Sequence, residues 1–519
     1  MRKYTFLLFV IYGALCVFSV KGQALNSRQI DSLVEKTLKN FRVPGIAVGI
    51  VKDGKVIHAK GYGLRSLETQ EPTDAHTLFA IASNSKAFTA TALGMLIDDG
   101  KLDWDTKVSA IIPEFKMYDP YVSAEFTVRD LLCHRSGLGL GAGDLMFWPD
   151  SANFTKEEVI HNLRYLKPVS SFRSKYDYDN LLYVVAGEVI ARISGMSWEE
   201  FIEQKIMQPL GMSESAASLV RVQQTDNIIS AHAPLGEQIV PIPSHFGETT
   251  NAAGGINSNI HDLSKWVLMH LNGGLYGENL EQRLISEKNH RELWTPQTIL
   301  KGTTSYQTNF SMYGLGFQLN DENGYFVVSH TGGLAGVVTK ITMVPALNLG
   351  IIVLTNQQSA YAFNAITNQI KDGYFGVKGK NRIAENKLAE QQYQTYAQKV
   401  TKKLWADIDA VMENGSSPQD LQPYIGVYQD PWFGKVYIEE KQGNLFFRAD
   451  RSPQLQGQMF YYKGNTFIVK WINRTLDADA HVMFSLDEQG RGKGIRMKPI
   501  SPMTDFSFDF QDLDLQRQQ

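Results

Sequence analysis

A serine and a lysine three residues apart form the first pair in this sequence whose spacing suits nucleophilic chemistry. Ser83 opens the tetrapeptide SNSK, Lys86 closes it, and helix-forming residues follow at 87–97. Ser83 is therefore expected at the start of a helix, with Lys86 one turn further on the same face. A serine hydroxyl is a weak nucleophile until a base takes its proton, and a partly desolvated lysine could serve as that base. Taken alone, the pair also fits an ordinary serine-capped helix with a solvated lysine.

A second segment carries a phenol and an amide that could join this pair. Tyr178 and Asn180 form a Tyr-x-Asn tripeptide just before a helix-like run at 181–190. The reference pKa of a phenol is about 10, so Tyr178 needs a nearby cation before it can act as a base near neutral pH. Lys86 would be that cation if the fold brings the two side chains together.

A third segment, HTGG at 330–333, follows a predicted strand and leads into another one. Its glycines would let a substrate approach the backbone closely. The backbone N–H of Gly333 could pair with that of Ser83 to bind an oxyanion. Without the other two segments, HTGG would be interpreted as a plain hairpin turn.

The strands that would position these segments occur in two blocks separated by a long, mostly helical stretch. Residues 45–51 and 55–59 flank Asp53-Gly54, a turn signal that predicts an antiparallel hairpin. Further β-type runs joined by short turns lie far along the chain, at 313–319, 325–330, 337–344 and 350–354. The pattern predicts an α+β fold, in which helices flank an antiparallel sheet and a large helical insert separates its strands.

A second unit is indicated towards the end of the chain. Apolar residues at spacings of three and four predict a helix through 393–411, inside a helical linker that we place at 376–418. Short β-runs separated by glycine turns then predict a small all-β barrel at 419–519. The site-bearing unit before the linker is assigned to residues 23–375.

Six ordered blocks in the larger unit resemble the serine β-lactamase-type hydrolases, the family of class C β-lactamases and penicillin-binding-protein-like enzymes. They are FAIASNSKAF at 79–88, TVRDLLCHRSGL at 127–138, YDN at 178–180, PLGM at 209–212, AGGI at 253–256 and HTG at 330–332. The resemblance covers roughly residues 27 to 375 and implies a β-lactamase/transpeptidase-like fold. The segment 419–515 resembles the lipocalin-like β-domain that is often appended to such hydrolases.

The resemblance implies a role for each residue named above. Ser83 would be the acyl-accepting nucleophile, and Lys86 and Tyr178 would share general-base and general-acid duty. Asn180 would hydrogen-bond Lys86 and the substrate, and the amides of Ser83 and Gly333 would hold the oxyanion.

His330 departs from the family pattern, because it stands where β-lactamases carry the lysine of Lys-Thr-Gly. That lysine would help to bind the carboxylate of a β-lactam or of a D-Ala-D-Ala end. Histidine is mostly neutral at pH 7 by its reference pKa. With Thr331 and Gly332 as its neighbours in the substrate-binding segment, His330 argues against efficient β-lactam hydrolysis and favours esters, amides or D-amino-acid peptides.

The expected function is that of an exported serine hydrolase that forms an acyl-enzyme on Ser83 and cleaves ester or amide bonds of small substrates. An acyltransferase would use the same machinery, because an alcohol or amine can intercept the acyl-enzyme where water is limited. β-Lactamase activity is a further alternative. A non-catalytic sensor of cell-wall fragments is the remaining alternative, against which the intact Ser83, Lys86 and Tyr178 argue. No metal or organic cofactor is implied.

The first residues of the chain predict export. A short basic start precedes fifteen apolar-leaning residues at 6–20, and small residues follow at Gly22 and Ala24. This pattern is typical of a secretory signal peptide, here 1–22, and the alternative is an N-terminal membrane anchor. Its removal would leave Cys133 without a partner for an internal disulfide, which favours a periplasmic or secreted bacterial protein.

The composition narrows the class of partner. Lys plus Arg is 51 and Asp plus Glu is 54, a net charge of −3 that excludes a strongly basic nucleic-acid binder. No interior apolar run is long enough for a transmembrane helix, so no stable membrane span is expected after signal cleavage. The expected partner is a small acyl ester, amide or peptide substrate, and the oligomeric state is left open.

Three smaller expectations complete the sequence analysis. Cys133 is expected to be a buried structural thiol. The loop 139–150 would line either a substrate cleft or a satellite hydrophobic cluster. The acidic residues near the end of the chain are interpreted as solvated surface: Asp505, Asp509, Asp512 and Asp514.

Overall fold

The computed structural model describes residues 24–223, 225–243, 247–302, 305–414, 418 and 420–518. The predicted signal peptide at 1–22 lies outside these residues. Within them, no single helix combines the length and apolarity needed to cross a membrane. Only the bent pair Leu181–Ser194 and Trp198–Leu210, with 73° between its two helices, satisfies that length and composition test, and only when its two helices are taken together.

The helices of the described residues lie at both ends of the larger unit and throughout its insert. In chain order they are α1 Ser27–Phe41, α2 Ser85–Asp98, α3 Val108–Ile111, α4 Pro120–Glu125, α5 Lys156–Asn162, α6 Leu181–Ser194, α7 Trp198–Phe201, α8 Gln208–Leu210, α9 Asn251–Gly254, α10 Ile260–Leu271, α11 Glu287–Leu293, α12 Ala360–Phe375 and α13 Arg382–Glu413.

The strands form one large sheet, one barrel and three short ribbons. In chain order they are β1 Gly45–Lys52, β2 Lys55–Gly63, β3 Phe79–Ala80, β4 Ala231–Leu235, β5 Gln238–Ile242, β6 Asn257–Ser258, β7 Leu275–Tyr276, β8 Gln282–Arg283, β9 Thr298–Ile299, β10 Ser311–Tyr313, β11 Gln318–Glu322, β12 Tyr325–Leu334, β13 Val337–Val344, β14 Leu349–Thr355, β15 Gly426–Asp430, β16 Gly434–Lys441, β17 Asn444–Ala449, β18 Gln456–Lys463, β19 Thr466–Trp471, β20 Ala480–Leu486, β21 Gly492–Pro499 and β22 Leu515–Arg517.

The large sheet is antiparallel and has eight strands in the order β2-β1-β14-β13-β12-β11-β10-β9. The predicted hairpin is confirmed: β1 pairs with β2 across a turn in which Asp53 and Gly54 both have positive φ. The next contact joins distant parts of the chain, because β1 also pairs with β14. The sheet therefore combines strands from both ends of the unit, as the two blocks of strands predicted.

Helices cover both faces of this sheet because its central strands are apolar on both sides. Ile46, Val48 and Ile50 of β1 pack towards α1 and α12. Ala47 and Val51 point the opposite way, into the larger core that includes the helical insert. This alternation follows from the two-residue period of a strand. The α+β architecture expected from the sequence is confirmed.

The C-terminal unit is a closed eight-stranded barrel, β15 to β22, in which β22 pairs back onto β15. Large buried side chains occupy its core, among them Tyr428, Phe447 and Trp471. Helix α13 leads to the barrel and packs on it through Leu404 and Ile408. The expected barrel is confirmed, and α13 begins earlier than the apolar stripe at 393–411 indicated. The boundaries 1–22, 23–375, 376–418 and 419–519 remain predictions.

The barrel rests directly on the helical insert. Arg451 of the barrel makes an ion pair with Glu158 at 2.7 Å, and it also hydrogen-bonds the backbone carbonyl of Asn153. Asn162 donates to the carbonyl oxygen of Trp432 at 3.0 Å. The core of the insert and the core of the barrel form one continuous cluster of buried side chains.

The first prediction concerns helix α2, which carries the candidate site at its N-terminus. Phe88 is fully buried and stacks on Trp266 of α10, with ring centroids 3.7 Å apart. We expect Phe88→Ala to lower the free energy of unfolding by about 3–5 kcal/mol, because the ring leaves a cavity that the helices cannot fill. Chemical denaturation measures the change. Tyr121→Ala is the control, since Tyr121 is 70% exposed, and a loss equal to that of Phe88→Ala would contradict the prediction.

Candidate active site

Ser83 lies in a single 3-10 turn, Ala82–Asn84, that connects the short strand β3 to α2. Ala82 before it has a φ of +51°, a conformation that non-glycine residues rarely adopt. Strand β12 passes so close to this turn that a Cβ on Gly332 would lie 2.2 Å from the carbonyl oxygen of Ile81. Gly332 is therefore required for the sheet to approach the nucleophile.

The turn is fixed to the sheet by a short hydrogen-bond network. The hydroxyl of Thr339 on β13 donates to the carbonyl oxygen of Ile81 at 2.9 Å. The side-chain amide of Asn84 donates to the same hydroxyl at 2.9 Å. These contacts hold the backbone on both sides of Ser83, so its hydroxyl position is set by the sheet as well as by the helix.

Lys86 is fully buried below Ser83, and its Nζ has three oxygen neighbours. It lies 2.7 Å from Oδ1 of Asn180, 2.9 Å from the carbonyl oxygen of Ala253 and 3.1 Å from Oγ of Ser83. Asn180 and the Ala253 carbonyl can each accept one N–H. The remaining direction on the nitrogen faces Ser83, which is where a neutral amine would present its lone pair.

The electrostatic surroundings make this lysine a suitable base. Burial lowers the pKa of Lys86 to about 7, against the opposing influence of the carboxylates of Asp144 and Asp179. A neutral amine is therefore abundant near physiological pH, which is the condition for general-base catalysis.

Tyr178 approaches Ser83 from the other side, and its hydroxyl donates to Oγ of Ser83 at 2.8 Å. Burial raises the pKa of Tyr178 well above its usual value of 10. From the sequence, Tyr178 was expected to act as a base once the nearby cation of Lys86 lowered the pKa of its phenol. In the structure Lys86 has the pKa suited to that role, and Tyr178 stays a protonated hydrogen-bond donor.

Asn180 connects the lysine to a buried carboxyl group. It stands at the N-cap of α6, and its Nδ2 donates to Oδ2 of Asp144 at 2.8 Å. Ser507 of the C-terminal unit donates to the same oxygen at 2.8 Å. Burial raises the pKa of Asp144 well above its usual range. The chain from Lys86 to Ser507 thus links the nucleophile to the barrel, a connection that sequence reasoning missed.

His330 on β12 is buried and neutral. Burial lowers its pKa to about 3. Its Nδ1 lies 2.6 Å from the carbonyl oxygen of Thr331, which can only accept, so Nδ1 carries the proton and Nε2 accepts from the hydroxyl of Tyr313 at 2.8 Å. His330 therefore supplies no positive charge at the position where β-lactamases have a lysine.

The pocket above Ser83 has a volume of about 340 Å³. Besides Ser83, six candidate residues from the sequence line it, namely Tyr178, Asn180, His330, Thr331, Gly332 and Gly333. Lys86 lies beneath this surface. The structure thus brings together all eight candidate residues, although they come from three segments spread between residues 83 and 333.

The C-terminal unit supplies one wall of the pocket, and here the sequence interpretation was wrong. Asp505, Phe506 and Ser507 line the pocket, so Asp505 is not simply solvated surface. Asp509 is fully buried, and its carboxylate accepts the backbone N–H groups of Gly143 and Leu145 at 2.6 and 3.0 Å. Contact with the larger unit explains the burial of Asp509, and no pattern within 500–519 signals it.

The same segment explains the conformation of the facing loop. A Cβ on Gly141 would lie 2.7 Å from the carbonyl oxygen of Phe506, and the φ of Gly141 is +71°. The ring of Phe506 meets that of Tyr178 edge-on at 5.7 Å. Of the loop 139–150, Phe147 and Trp148 line the pocket and Met146 is core, so both expectations for this loop hold in part.

Two further features lie away from the pocket lining, and only the first of them was expected from the sequence. Cys133 is fully buried, and burial raises the pKa of its thiol to about 12, which fits the expected structural role. On the surface, His76, Glu214 and His261 place one ligand atom each within 4.8 Å of one another. His76 and His261 are far apart in sequence, so this potential cation site was not evident from residue spacing.

Comparison with known proteins identifies the family. The Beta-lactamase family model matches residues 30–372, which is more than half of the chain, and the chain therefore belongs to this family of serine hydrolases. A second family model, described as a domain of unknown function (DUF3471), matches residues 410–517.

Individual relatives agree with this assignment. An unguisins hydrolase, ungD', from Aspergillus campestris (strain IBT 28561) is 26% identical over 435 residues, which cover 81% of this chain and 79% of that protein. Protein flp of Staphylococcus aureus (strain NCTC 8325 / PS 47) is 28% identical over 344 residues, covering 65% and 64%.

Solved structures share the fold. An octameric penicillin-binding protein homologue from Pyrococcus abyssi aligns over 95% of this chain and 100% of its own, with a TM-score of 0.60 and 22% identity. A class C beta-lactamase aligns over 68% of this chain and 96% of its own, with a TM-score of 0.54 and 20% identity. The first of these covers the barrel as well as the larger unit.

The second prediction follows from the pKa of Lys86. We expect neutral Lys86 to be the active form, so kcat/KM for an uncharged ester should rise about tenfold per pH unit and level off above pH about 7. Stopped-flow or steady-state profiles between pH 5 and 9 measure the inflection. Tyr178→Phe should lower the rate and leave the inflection in place, because the pKa of Tyr178 lies well above this range. A profile that falls from pH 5 to 8 would contradict the assignment.

Proposed function

We propose that this protein is an exported serine hydrolase that cleaves ester or amide bonds of small substrates, D-amino-acid peptides included, through an acyl-enzyme on Ser83. One observation carries the proposal: Oγ of Ser83 lies between a buried lysine amine at 3.1 Å and a phenol hydroxyl at 2.8 Å. Export rests on the pattern of residues 1–22.

Proton transfer from Ser83 begins the reaction. Neutral Lys86 accepts the Oγ proton as Oγ forms a bond to the carbonyl carbon of the substrate. The electron pair of the carbonyl moves to its oxygen, which the backbone N–H groups of Ser83 and Gly333 hold. The pocket is lined by both residues, which supports the assignment of these two N–H groups to the oxyanion.

Tyr178 suits the next proton transfer. Its hydroxyl already donates to Oγ of Ser83, next to the bond that must break. As the tetrahedral intermediate collapses, Tyr178 gives its proton to the leaving oxygen or nitrogen and regains one from the Lys86 ammonium. The acyl group stays on Ser83, and the leaving group departs neutral.

Deacylation repeats these steps with water in the place of Ser83. Lys86, neutral again, removes a proton from water while the water oxygen attacks the carbonyl carbon of the acyl ester. The released Ser83 alkoxide takes that proton back through Tyr178 or directly from Lys86. The carboxylic acid product leaves, and no group of the protein is consumed.

The charges around the pocket favour substrates without a carboxylate near the reacting bond. Among the described residues that line the pocket, Asp505 carries the only carboxyl group, whose pKa is raised by burial, and His330 is neutral. The carboxylate of a β-lactam would meet no cation at the His330 position. A neutral or cationic group fits this end of the pocket better.

The third prediction tests the nucleophile. The purified protein should gain the mass of one fluorophosphonate adduct, and Ser83→Ala should gain none. For a short-chain activated ester, we expect Ser83→Ala and Lys86→Ala to lower kcat/KM by about 10³-fold or more, and Tyr178→Phe by about 10²-fold. Ser85→Ala is the matched control, because Ser85 is buried against the backbone of Ile256.

Intact mass after exposure to a penicillin and to a D-alanyl amide then separates substrate classes. An adduct that persists with the penicillin and clears with the ester would support an esterase or amidase. Equal ester hydrolysis by the wild type and Ser83→Ala would overturn the proposal.

The fourth prediction concerns Asp505. We expect Asp505→Asn to reduce the preference for an ester with a terminal ammonium over its uncharged analogue by about tenfold, or roughly 1.4 kcal/mol. The ratio of the two kcat/KM values measures it, which removes any general effect on the rate. Asp409→Asn on the exposed surface of α13 is the control. An unchanged ratio in Asp505→Asn would show that its carboxylate does not face the bound substrate.

A further inference from the structure

The pocket continues as a groove between the sheet and α12. On β12, Gly333 and Thr331 line the pocket, and the next residue on the same strand face, Ser329, lines a second cavity. On β13 the corresponding step runs from Val338 to Lys340. Alternate residues of a strand share a face, so the two cavities are neighbours along one surface.

Helix α12 and strand β11 show the same continuity. Ala360 and Phe363 line the pocket, and Asn364 and Lys371 on the same helix line the second cavity. Gln318 of β11 lines both. The second cavity has a volume of about 320 Å³, enough for a compact organic molecule.

This cavity is unusually polar for a space between a sheet and its covering helix. Its described lining is mostly amide, hydroxyl and charged side chains, among them Glu322, Ser329, Lys340, Thr342, Asn364 and Lys371. Packing alone would favour apolar residues here, as in the adjacent core between α1, α12 and the sheet. The polar lining suits a polar ligand better than an apolar one, because polar groups are stable out of water only where they are hydrogen-bonded.

Two lysines reach the cavity, and they differ in their partners. Lys371 makes a buried ion pair with Glu322, so its charge is compensated. Lys340 donates to Oδ1 of Asn364 at 2.8 Å, and among the described residues it has no carboxylate partner. Burial, with Lys371 nearby and against the influence of Glu322, lowers the pKa of Lys340 to about 7. An anion beside Lys340 would keep it protonated.

A hydroxyl next to Lys340 also lacks a partner. Thr342 is 1% exposed, and among the described residues its Oγ1 has no hydrogen-bond partner. Thr342 follows Lys340 on the same face of β13, and both line the cavity. An unpaired buried hydroxyl costs free energy that a bound acceptor would recover.

We propose that this cavity is a subsite for a small carboxylate, held by the ammonium of Lys340 and the hydroxyl of Thr342. Two residues along a strand span about 6.5 Å, so the backbone of Lys340 lies one such step further along the groove than that of Val338. The carboxylate is carried by the far end of the substrate or bound as a separate molecule, with the same contacts in either case. Only the first of these sources rests on the proposed function.

Direct binding tests the subsite without any catalysis. Succinate is titrated calorimetrically into the full-length Ser83→Ala variant, and succinamide serves as the uncharged analogue. We expect succinate to bind and succinamide to bind at least tenfold more weakly. Lys340→Met should weaken succinate binding at least tenfold, and Lys399→Met on the exposed surface of α13 should not change it.

A second variant guards against misfolding of Lys340→Met. Thr342→Val removes the unpaired hydroxyl and keeps the shape of the side chain, so it should fold and weaken succinate binding severalfold. Thr367→Val is its matched control, because Thr367 on α12 is equally buried and its hydroxyl has no partner in the described part of the chain, but it does not line the cavity. The proposal would be overturned if succinate did not bind at concentrations up to about 10 mM. It would also be overturned if Lys340→Met and Thr342→Val bound succinate as tightly as the protein without these substitutions.

Ester kinetics then identify the source of the carboxylate. Nitrophenyl monoesters of glutaric and adipic acid are compared with their methyl-capped forms on the otherwise wild-type enzyme. A preference for the free acid that Lys340→Met removes and Lys399→Met retains would place the carboxylate on the substrate. Succinate binding together with no such preference would place it on a separate ligand. If the enzyme hydrolyses none of these esters but still binds succinate, the result would count against the proposed function and would still support the subsite.

Discussion

The buried amine of Lys86 is the constraint on which the rest of the site depends. A lysine removed from water loses its proton more readily, and that loss turns it into a base. The protein must still provide acceptors for the N–H groups of this amine, and it does so with Asn180 and the carbonyl oxygen of Ala253. Those two contacts leave the third direction on the nitrogen for Ser83.

Each partner of Lys86 is held by a different part of the fold. Asn180 stands at the start of α6, Ala253 lies in α9, and Ser83 lies in a turn pressed against β12 and β13. A shift of any of these elements would move a hydrogen-bond acceptor away from the amine of Lys86, or move the hydroxyl of Ser83 away from that amine. The close approach at Gly332 and the hydrogen bonds of Thr339 show how the sheet prevents such shifts.

The barrel is part of the site as well as an appended domain. Its segment 505–507 forms a wall of the pocket, and Ser507 reaches Asp144, which in turn contacts Asn180. The pocket thus has an acidic side contributed by the barrel and a path towards Lys340 along the sheet. The shape and charge of the substrate space depend on both units, whereas Ser83, Lys86 and Tyr178 all lie in the larger unit.

The sequence by itself determined the local elements and the chemical identity of the site. Ordered blocks around Ser83, Tyr178 and His330 predicted the candidate site, β-type runs joined by short turns predicted the sheet and the barrel, and apolar residues at spacings of three and four predicted the helix before the barrel. Such patterns are local, so a single chain displays them. Only the tertiary structure decided which pKa values shift, because burial comes from residues distant in sequence, and only it placed Asp505 and Ser507 at the pocket. An acidic segment looks the same in sequence whether it faces water or another domain.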